Sequence, residues 1–241
     1  PAPIHGTITA IPSKSMAHRL LICAAFADKP TQIHCPDSNR DIDATADCLR
    51  ALGAEIIRTE TGFSVFPGKK VPKEATLNCC ESGSTLRFLL PVAGALGVKT
   101  TFQMEGRLPQ RPLSPLWEEM ERMGCLLSRP TADTILCDGK LMPGKYSISG
   151  SVSSQYITGL LLALSLMNKP SELEITGKIE SAPYILITKE VLSLFGADPE
   201  HPGTKMLHSP GFVRVEGDWS NGAFWLAANA LGCDIRLSGL N

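Results

Sequence analysis

The chain has 241 residues, 43% of them hydrophobic, which is enough for one large core or two smaller ones. Its 23 basic and 24 acidic side chains leave a net charge of −1, excluding a bulk electrostatic grip on nucleic acid; an anion must be met by a local cluster. The longest apolar run, around Leu160 to Met167, is interrupted by Ser165 and too short to span a bilayer, and the first residues lack a signal layout, so a soluble, cytoplasmic protein is expected.

In chain order, the first predicted helix opens at Ser13-Lys14-Ser15 and runs through Arg19-Leu20-Leu21-Ile22. A second has Ile42, Ala46, Leu49 and Leu52 at helical spacing and stops at Gly53. Glu55-Ile56-Ile57 and Phe63-Ser64-Val65-Phe66 then read as a hairpin. The same grammar returns at Ser82-Gly83-Ser84-Thr85, running into Arg87-Phe88-Leu89-Leu90. Ser114-Pro115 reads as a cap and first-turn proline for a helix through Leu116, Met120 and Met123 to Gly124, followed by Leu126-Leu127 with Thr134-Ile135-Leu136. A third round starts at Ser153-Ser154-Gln155 into Leu160-Leu161-Leu162, with a second helix through Ile187, Val191 and Leu194 to Gly196. A fourth opens at Ser220-Asn221-Gly222 into Phe224-Trp225-Leu226.

The spacings define an internal repeat. Ser15 to Ser84 and Ser84 to Ser153 are each 69 residues, and Ser153 to Ser220 is 67. The helix stops at Gly53, Gly124 and Gly196 lie 71 and 72 residues apart, a second series with nearly the same period. Each unit reads as strand, helix, strand, helix and hairpin, an α/β pattern. Gly53 to Ser84 is 31 residues and Gly124 to Ser153 is 29, but Gly196 to Ser220 is only 24, which predicts a third hairpin that is shortened or lacks residues. The fourth unit stops before a second helix, so the natural protein is expected to continue, with another domain opening near Gly217.

The eight cysteines are scattered without a Cys-x-x-Cys pair, and Cys23 and Cys48 sit in apolar-periodic segments, so reduced, mostly buried thiols are expected. His34-Cys35 lacks further ligands at metal spacing, and neither a metal nor a cofactor is expected. Serine, threonine and glycine at a helix start leave unpaired N–H groups at the positive end of the dipole. One such start is ordinary capping; three related by internal symmetry can converge on one small, highly charged ligand. Lys14, Arg19 and Arg87 stand near the first two starts, and Arg107 and Arg111 flank Leu108-Pro109-Gln110. The arginine fork suits carboxylate and phosphate oxygens. Taken singly, each serine reads as a cap, each arginine as a solvated or ion-paired residue, and Tyr184 as a core aromatic with a wet hydroxyl.

At Pro12-Ser13-Lys14-Ser15, followed by Arg19, the sequence resembles the opening motif of the 5-enolpyruvylshikimate-3-phosphate synthases. Further landmarks follow in that family's order: Ser82-Gly83-Ser84-Thr85-Leu86-Arg87, Gln110-Arg111-Pro112, Gly150-Ser151-Val152-Ser153-Ser154-Gln155-Tyr156, Ser181-Ala182-Pro183-Tyr184 and Gly217-Asp218-Trp219-Ser220. The resemblance covers essentially the whole chain. It implies two domains, each of three βαβαββ units with internal helices, an inside-out α/β barrel. Residues 13–216 would be one complete three-repeat domain, with 1–12 and 217–241 as pieces of a second, mostly absent one.

The resemblance also implies transfer of the enolpyruvyl group of phosphoenolpyruvate to the 5-hydroxyl of shikimate 3-phosphate, with release of phosphate, in aromatic amino-acid biosynthesis. By the same carry-over, Lys14, Ser15 and Arg19 would contact shikimate 3-phosphate, and Lys14 would also reach phosphoenolpyruvate. Ser153, Ser154 and Ser181 would hold the 3-phosphate. Gln155 would sit between the two substrates, Tyr184 would line the shikimate ring, and Gly83 and Arg111 would bind phosphoenolpyruvate. The family's acid/base residues lie in its second half, so this chain alone is expected to bind shikimate 3-phosphate without turnover, its partner being the missing C-terminal half. Three positions depart from the family pattern: Glu81 for a common Asn, Ala182 for a frequent Lys and Leu186 for a frequent Asp. A carboxylate at 81 would repel an anion unless a cation such as Arg87 paired with it. Two alternatives stand beside this reading. The transferase acting on UDP-N-acetylglucosamine typically has a reactive Cys in the loop corresponding to 106–112, where this chain has none. The other is a non-catalytic repeat module.

Overall fold

The computed structural model describes residues 4–240. After β1 (His5–Thr9), the first unit comprises α1 (Lys14–Ala25), β2 (Thr31–His34), α2 (Arg40–Ala51), β3 (Glu55–Thr59) and β4 (Gly62–Phe66). The second comprises β5 (Glu74–Asn78), α3 (Gly83–Leu96), β6 (Lys99–Gln103), a 3₁₀ turn (Leu108–Gln110), α4 (Leu116–Arg122), β7 (Cys125–Ser128) and β8 (Thr134–Gly139). The third has β9 (Lys145–Ser149), α5 (Ser154–Leu166), β10 (Glu172–Thr176) and α6 (Ala182–Leu194), followed by β11 (Phe212–Arg214), α7 (Trp219–Ala230) and β12 (Asp234–Ser238). The helix stops have a common cause. Gly53, Gly124 and Gly196 carry φ of 106°, 109° and 78°, a left-handed backbone that glycine adopts without a Cβ clash.

Helices α1, α3 and α5 lie inside and the sheets outside. A helix that is apolar nearly all round has no face to give to water and must be enclosed. Leu20, Leu21 and Ile22 of α1, Phe88 to Leu90 of α3 and Leu160 to Leu162 of α5 are accordingly buried. The two helices α3 and α5 cross closely at Gly159, where a Cβ would stand 2.2 Å from the carbonyl oxygen of Arg87. Strands alternate around this interior, so that Phe102, Ile135 and Cys137 point in while their neighbours face outward. All eight cysteines are free thiols and six are buried, Cys23 and Cys48 among them.

Sheet topology shows how the units close on one another. The second unit forms the order β5-β6-β8-β7, with β5 parallel to β6. The first forms β11-β2-β4-β3, with β11 parallel to β2 in the equivalent place. The opening strand of unit one is thus supplied from beyond α6. The third unit keeps only the parallel pair β9 and β10. Its hairpin is not merely short but absent as a hairpin: the spacing leaves one strand, and that strand serves another unit's sheet. The hand-over is fixed by Ser209, whose N donates to Asp28 Oδ1 at 2.8 Å and whose hydroxyl lies 2.7 Å from Thr31 Oγ1.

Two helix starts differ from expectation. Ser114 does not cap α4, because Pro115 occupies the cap position itself and no side-chain cap bond forms; the hydroxyl lies one residue too early to reach the first-turn amides. In the fourth unit the cap of α7 is Asp218, whose carboxylate accepts from Asn221 N at 3.0 Å, and Ser220 falls within the first turn. β1 runs parallel to β12, from His5 opposite Asp234 to Thr9 opposite Ser238, and Pro12 bridges to Gly217. Among the described residues no helix is long and apolar enough to cross a membrane.

Candidate functional site

The repeated helix starts meet. Ser15, Ser84 and Ser153 line one cavity of about 400 Å³, walled also by Lys14, Arg19, Phe88, Val152, Ser154, Gln155, Glu180, Ser181 and Tyr184. In the first two units a preceding serine caps the helix, whereas in the third Ser153 is itself the cap. Ser13 accepts from Met16 N at 3.4 Å, Ser82 from Thr85 N at 3.2 Å and Ser153 from Gln155 N at 3.2 Å. The first-turn amides around them belong to the N–H groups that a helix cannot satisfy internally. A fourth start comes from α6. Ser181 occupies its cap position with φ 58° and makes no side-chain cap bond. A left-handed serine costs backbone energy, and such residues gather at functional walls.

Arg19 is the electrostatic centre of the cavity. Its guanidinium is 2% exposed, yet every partner is neutral. Nε donates to Thr188 Oγ1 at 2.8 Å, Nη1 to the Ser15 carbonyl at 2.5 Å, and Nη2 to Thr158 Oγ1 and the Tyr184 carbonyl, each at 3.0 Å. Its carbon lies 4.9 Å from the Phe88 ring centroid. Burial lowers its pKa to about 10, so the charge persists at neutral pH. A buried cation without a counter-ion is costly, and an anion entering the cavity relieves that cost. Lys14 has a partner: its Nζ lies 2.8 Å from Asp41 Oδ2.

A second corner adjoins the first through Gln155. The Gln155 Oε1 accepts from Arg87 Nη1 at 2.7 Å, and its Nε2 donates to Ser84 Oγ at 3.0 Å. Arg87 also gives Nη2 to the Pro112 carbonyl at 3.2 Å, and its buried Nε has no hydrogen-bond partner among the described residues. Burial holds its pKa below the usual guanidinium range, and the like charge of Arg111 adds to this. A Cβ on Gly83 would meet Arg87 Nη1 at 2.8 Å and Arg111 Nη1 at 2.9 Å. The bare Cα therefore lets both guanidiniums close over the start of α3.

Eight of the ten residues expected from the sequence share the first cavity, while Gly83 and Arg111 meet in the adjoining corner. The cation that could have offset Glu81, Arg87, is not its hydrogen-bond partner; Glu81 Oε1 accepts from Arg107 N at 3.2 Å. Residues not singled out from the sequence include Asp41, Thr158, Thr188 and Glu180. Both threonines interrupt apolar helical runs, which is a readable signal of an inward polar task. Beneath the cavity lies a further network. His18 Nδ1 is 2.7 Å from Thr45 Oγ1, which lies 2.7 Å from Thr85 Oγ1, which in turn donates to Ser82 Oγ at 2.7 Å. No group of three or more His, Cys, Asp or Glu among the described residues is placed to hold a metal.

Comparison with known proteins gives a consistent pattern. The sequence profile of EPSP synthase (3-phosphoshikimate 1-carboxyvinyltransferase) matches residues 1–241. A 3-phosphoshikimate 1-carboxyvinyltransferase of Clostridium kluyveri is 36% identical over 250 residues, spanning all of this chain and 59% of the relative. One from Clostridioides difficile is 34% identical over 257 residues, covering 98% of this chain and 59% of its own length. The chain thus spans about 59% of the length of these curated relatives. An EPSP synthase structure from Acinetobacter baumannii superposes with a TM-score of 0.79 at 21% identity, covering 99% of this chain and 56% of that one. The enolpyruvyl transferase NikO of Streptomyces tendae does so with 0.68 at 18%, covering 98% and 58%. At these identities the two structures speak for the fold.

Proposed function

The chain belongs to the EPSP synthase family, and on that premise we propose that its two adjoining corners bind shikimate 3-phosphate and phosphoenolpyruvate, for transfer of the enolpyruvyl group to the 5-hydroxyl with release of phosphate. The observation that carries the reading is Arg19, a buried guanidinium with only neutral partners, facing a cavity ringed by helix starts. In this reading Ser153, Ser154 and Ser181 receive the 3-phosphate, Lys14, Ser15 and Arg19 contact the same ligand, and Tyr184 lies along its ring. Gly83 and Arg111 receive phosphoenolpyruvate, with Arg87 behind them. Gln155 stands between the two ligands, and Lys14 serves both.

Such an arrangement does three things for the reaction. It sets two anions side by side against their mutual repulsion, it orients the hydroxyl toward the enol carbon, and it supplies fixed donors for developing charge. We also propose residues 13–216 as one three-repeat domain, with 1–12 and 217–241 belonging to a second; the pairing of β1 with β12 rather than with the repeat sheets supports this division. The absence of cysteine from 106–112 argues against the UDP-N-acetylglucosamine reaction. The test is phosphate release by the full-length protein from phosphoenolpyruvate with each acceptor. Release with shikimate 3-phosphate alone is expected; release with UDP-N-acetylglucosamine, or with neither, would refute the reading.

A further inference from the structure

Glu81 stands just before the cap of α3, at a position where the family commonly has asparagine. Its carboxylate meets the backbone of the loop at Gly106 and Arg107. Oε1 accepts from Arg107 N at 3.2 Å. The side chain fills the space beside Gly106, where a Cβ would stand 1.7 Å from Oε1 and 2.9 Å from Cγ. Gly106 has φ 54°, so both its backbone and its bare Cα suit this contact.

The contact closes a zipper between two segments. Glu105 N donates to the Cys80 carbonyl at 2.7 Å, Cys80 N to Asn78 Oδ1 at 2.8 Å, and Asn78 Nδ2 to Glu105 Oε1 at 3.2 Å. One segment ends at Ser82, the cap of α3, immediately before Gly83. The other continues through the 3₁₀ turn to Arg111, whose Nη1 lies over Gly83. Arg111 sits on an exposed stretch, so its position depends on how that stretch is anchored.

We propose that Glu81 is a positioning residue for the second anion-binding corner: its carboxylate buckles the Arg107–Arg111 loop to the start of α3 and so sets the Arg111 guanidinium above Gly83. The assignment of phosphoenolpyruvate to that corner rests on the function proposed above, whereas the buckle itself does not. A carboxylate beside an anion site carries a repulsive cost. Here the Arg107 amide takes up one oxygen, and the charge is directed into the loop. Length matters: an aspartate, one methylene shorter, falls short of the amide.

Two readouts test the proposal. In unliganded protein, exchange of the Arg107 amide hydrogen should become about tenfold faster in Glu81→Ala and Glu81→Asp, while Glu81→Gln, which keeps an acceptor oxygen, retains protection. In the full-length protein, KM for phosphoenolpyruvate should rise about tenfold in Glu81→Ala and Glu81→Asp, with kcat and the KM for shikimate 3-phosphate within about twofold of wild type; Glu81→Gln should restore it. Unchanged Arg107 exchange in Glu81→Ala overturns the buckle. Unchanged or lower KM for phosphoenolpyruvate overturns the positioning role. A wild-type protein inactive with both substrates would refute the function instead, and the exchange measurement would still decide the buckle.

Discussion

The Oε1 of Gln155 accepts from Arg87 Nη1 at 2.7 Å, so a neutral amide meets a buried guanidinium that stands beside the exposed Arg111. The amide satisfies a donor and leaves the positive charge of the corner intact. Gln155→Glu would place a carboxylate there instead. It should raise the midpoint of thermal unfolding by a few degrees, because a buried charge gains a partner, and weaken anion binding about tenfold or more. Scanning fluorimetry and calorimetry on the same samples check both signs. Tighter anion binding would contradict the account.

Gly159 lets α5 approach α3 to contact distance with the Arg87 carbonyl, and these two helices carry Ser84, Ser153 and Gln155 into the cavity. Gly159→Ala puts a methyl 2.2 Å from that backbone oxygen, and the backbone cannot step aside as a side chain end can. Although alanine is the better helix former, overpacking should win, with a loss of about 1–3 kcal/mol in urea unfolding and weaker ligand binding. An increase in stability would mean the helices can separate freely.

Burial lowers the His18 pKa to about 3, an effect that Asp41 opposes and Arg19 and Lys14 reinforce. The same ring protonates near its ordinary value of 6.5 in the unfolded chain. Between those values the unfolded state binds the extra proton, so stability rises with pH across the window and falls as pH drops through it, by about 1.4 kcal/mol per pH unit. His18→Asn keeps a polar group toward Thr45 and should flatten this dependence between about pH 4 and 6.5. Equal slopes for the two proteins, from urea unfolding at each pH, would show that His18 is not the group responsible.

Much of this was legible in the sequence. The repeat of Ser15, Ser84 and Ser153 located the three starts that line the cavity, and Gly53, Gly124 and Gly196 located the helix stops. These are local signals, written in neighbouring residues. What stayed hidden is non-local. Nothing near Phe212–Arg214 says that this strand completes the sheet of the first unit, because its partner β2 lies at the other end of the repeats. The pairing of Lys14 with Asp41 and the grip of Thr158 and Thr188 on Arg19 arise only when separate helices pack. Glu81 is the sharpest case. Its charge suggested repulsion or an Arg87 pair, and its role depends on the bare Cα of Gly106 across a loop.

The most direct test of the anion-binding cavity is a calorimetric titration of the protein with shikimate 3-phosphate and, separately, with shikimate. Helix-start amides and a guanidinium lacking a carboxylate partner should make the phosphorylated compound bind about a hundredfold more tightly. Equal affinities, or no binding of the phosphorylated compound, would contradict the claim that this cavity is built for a phosphate.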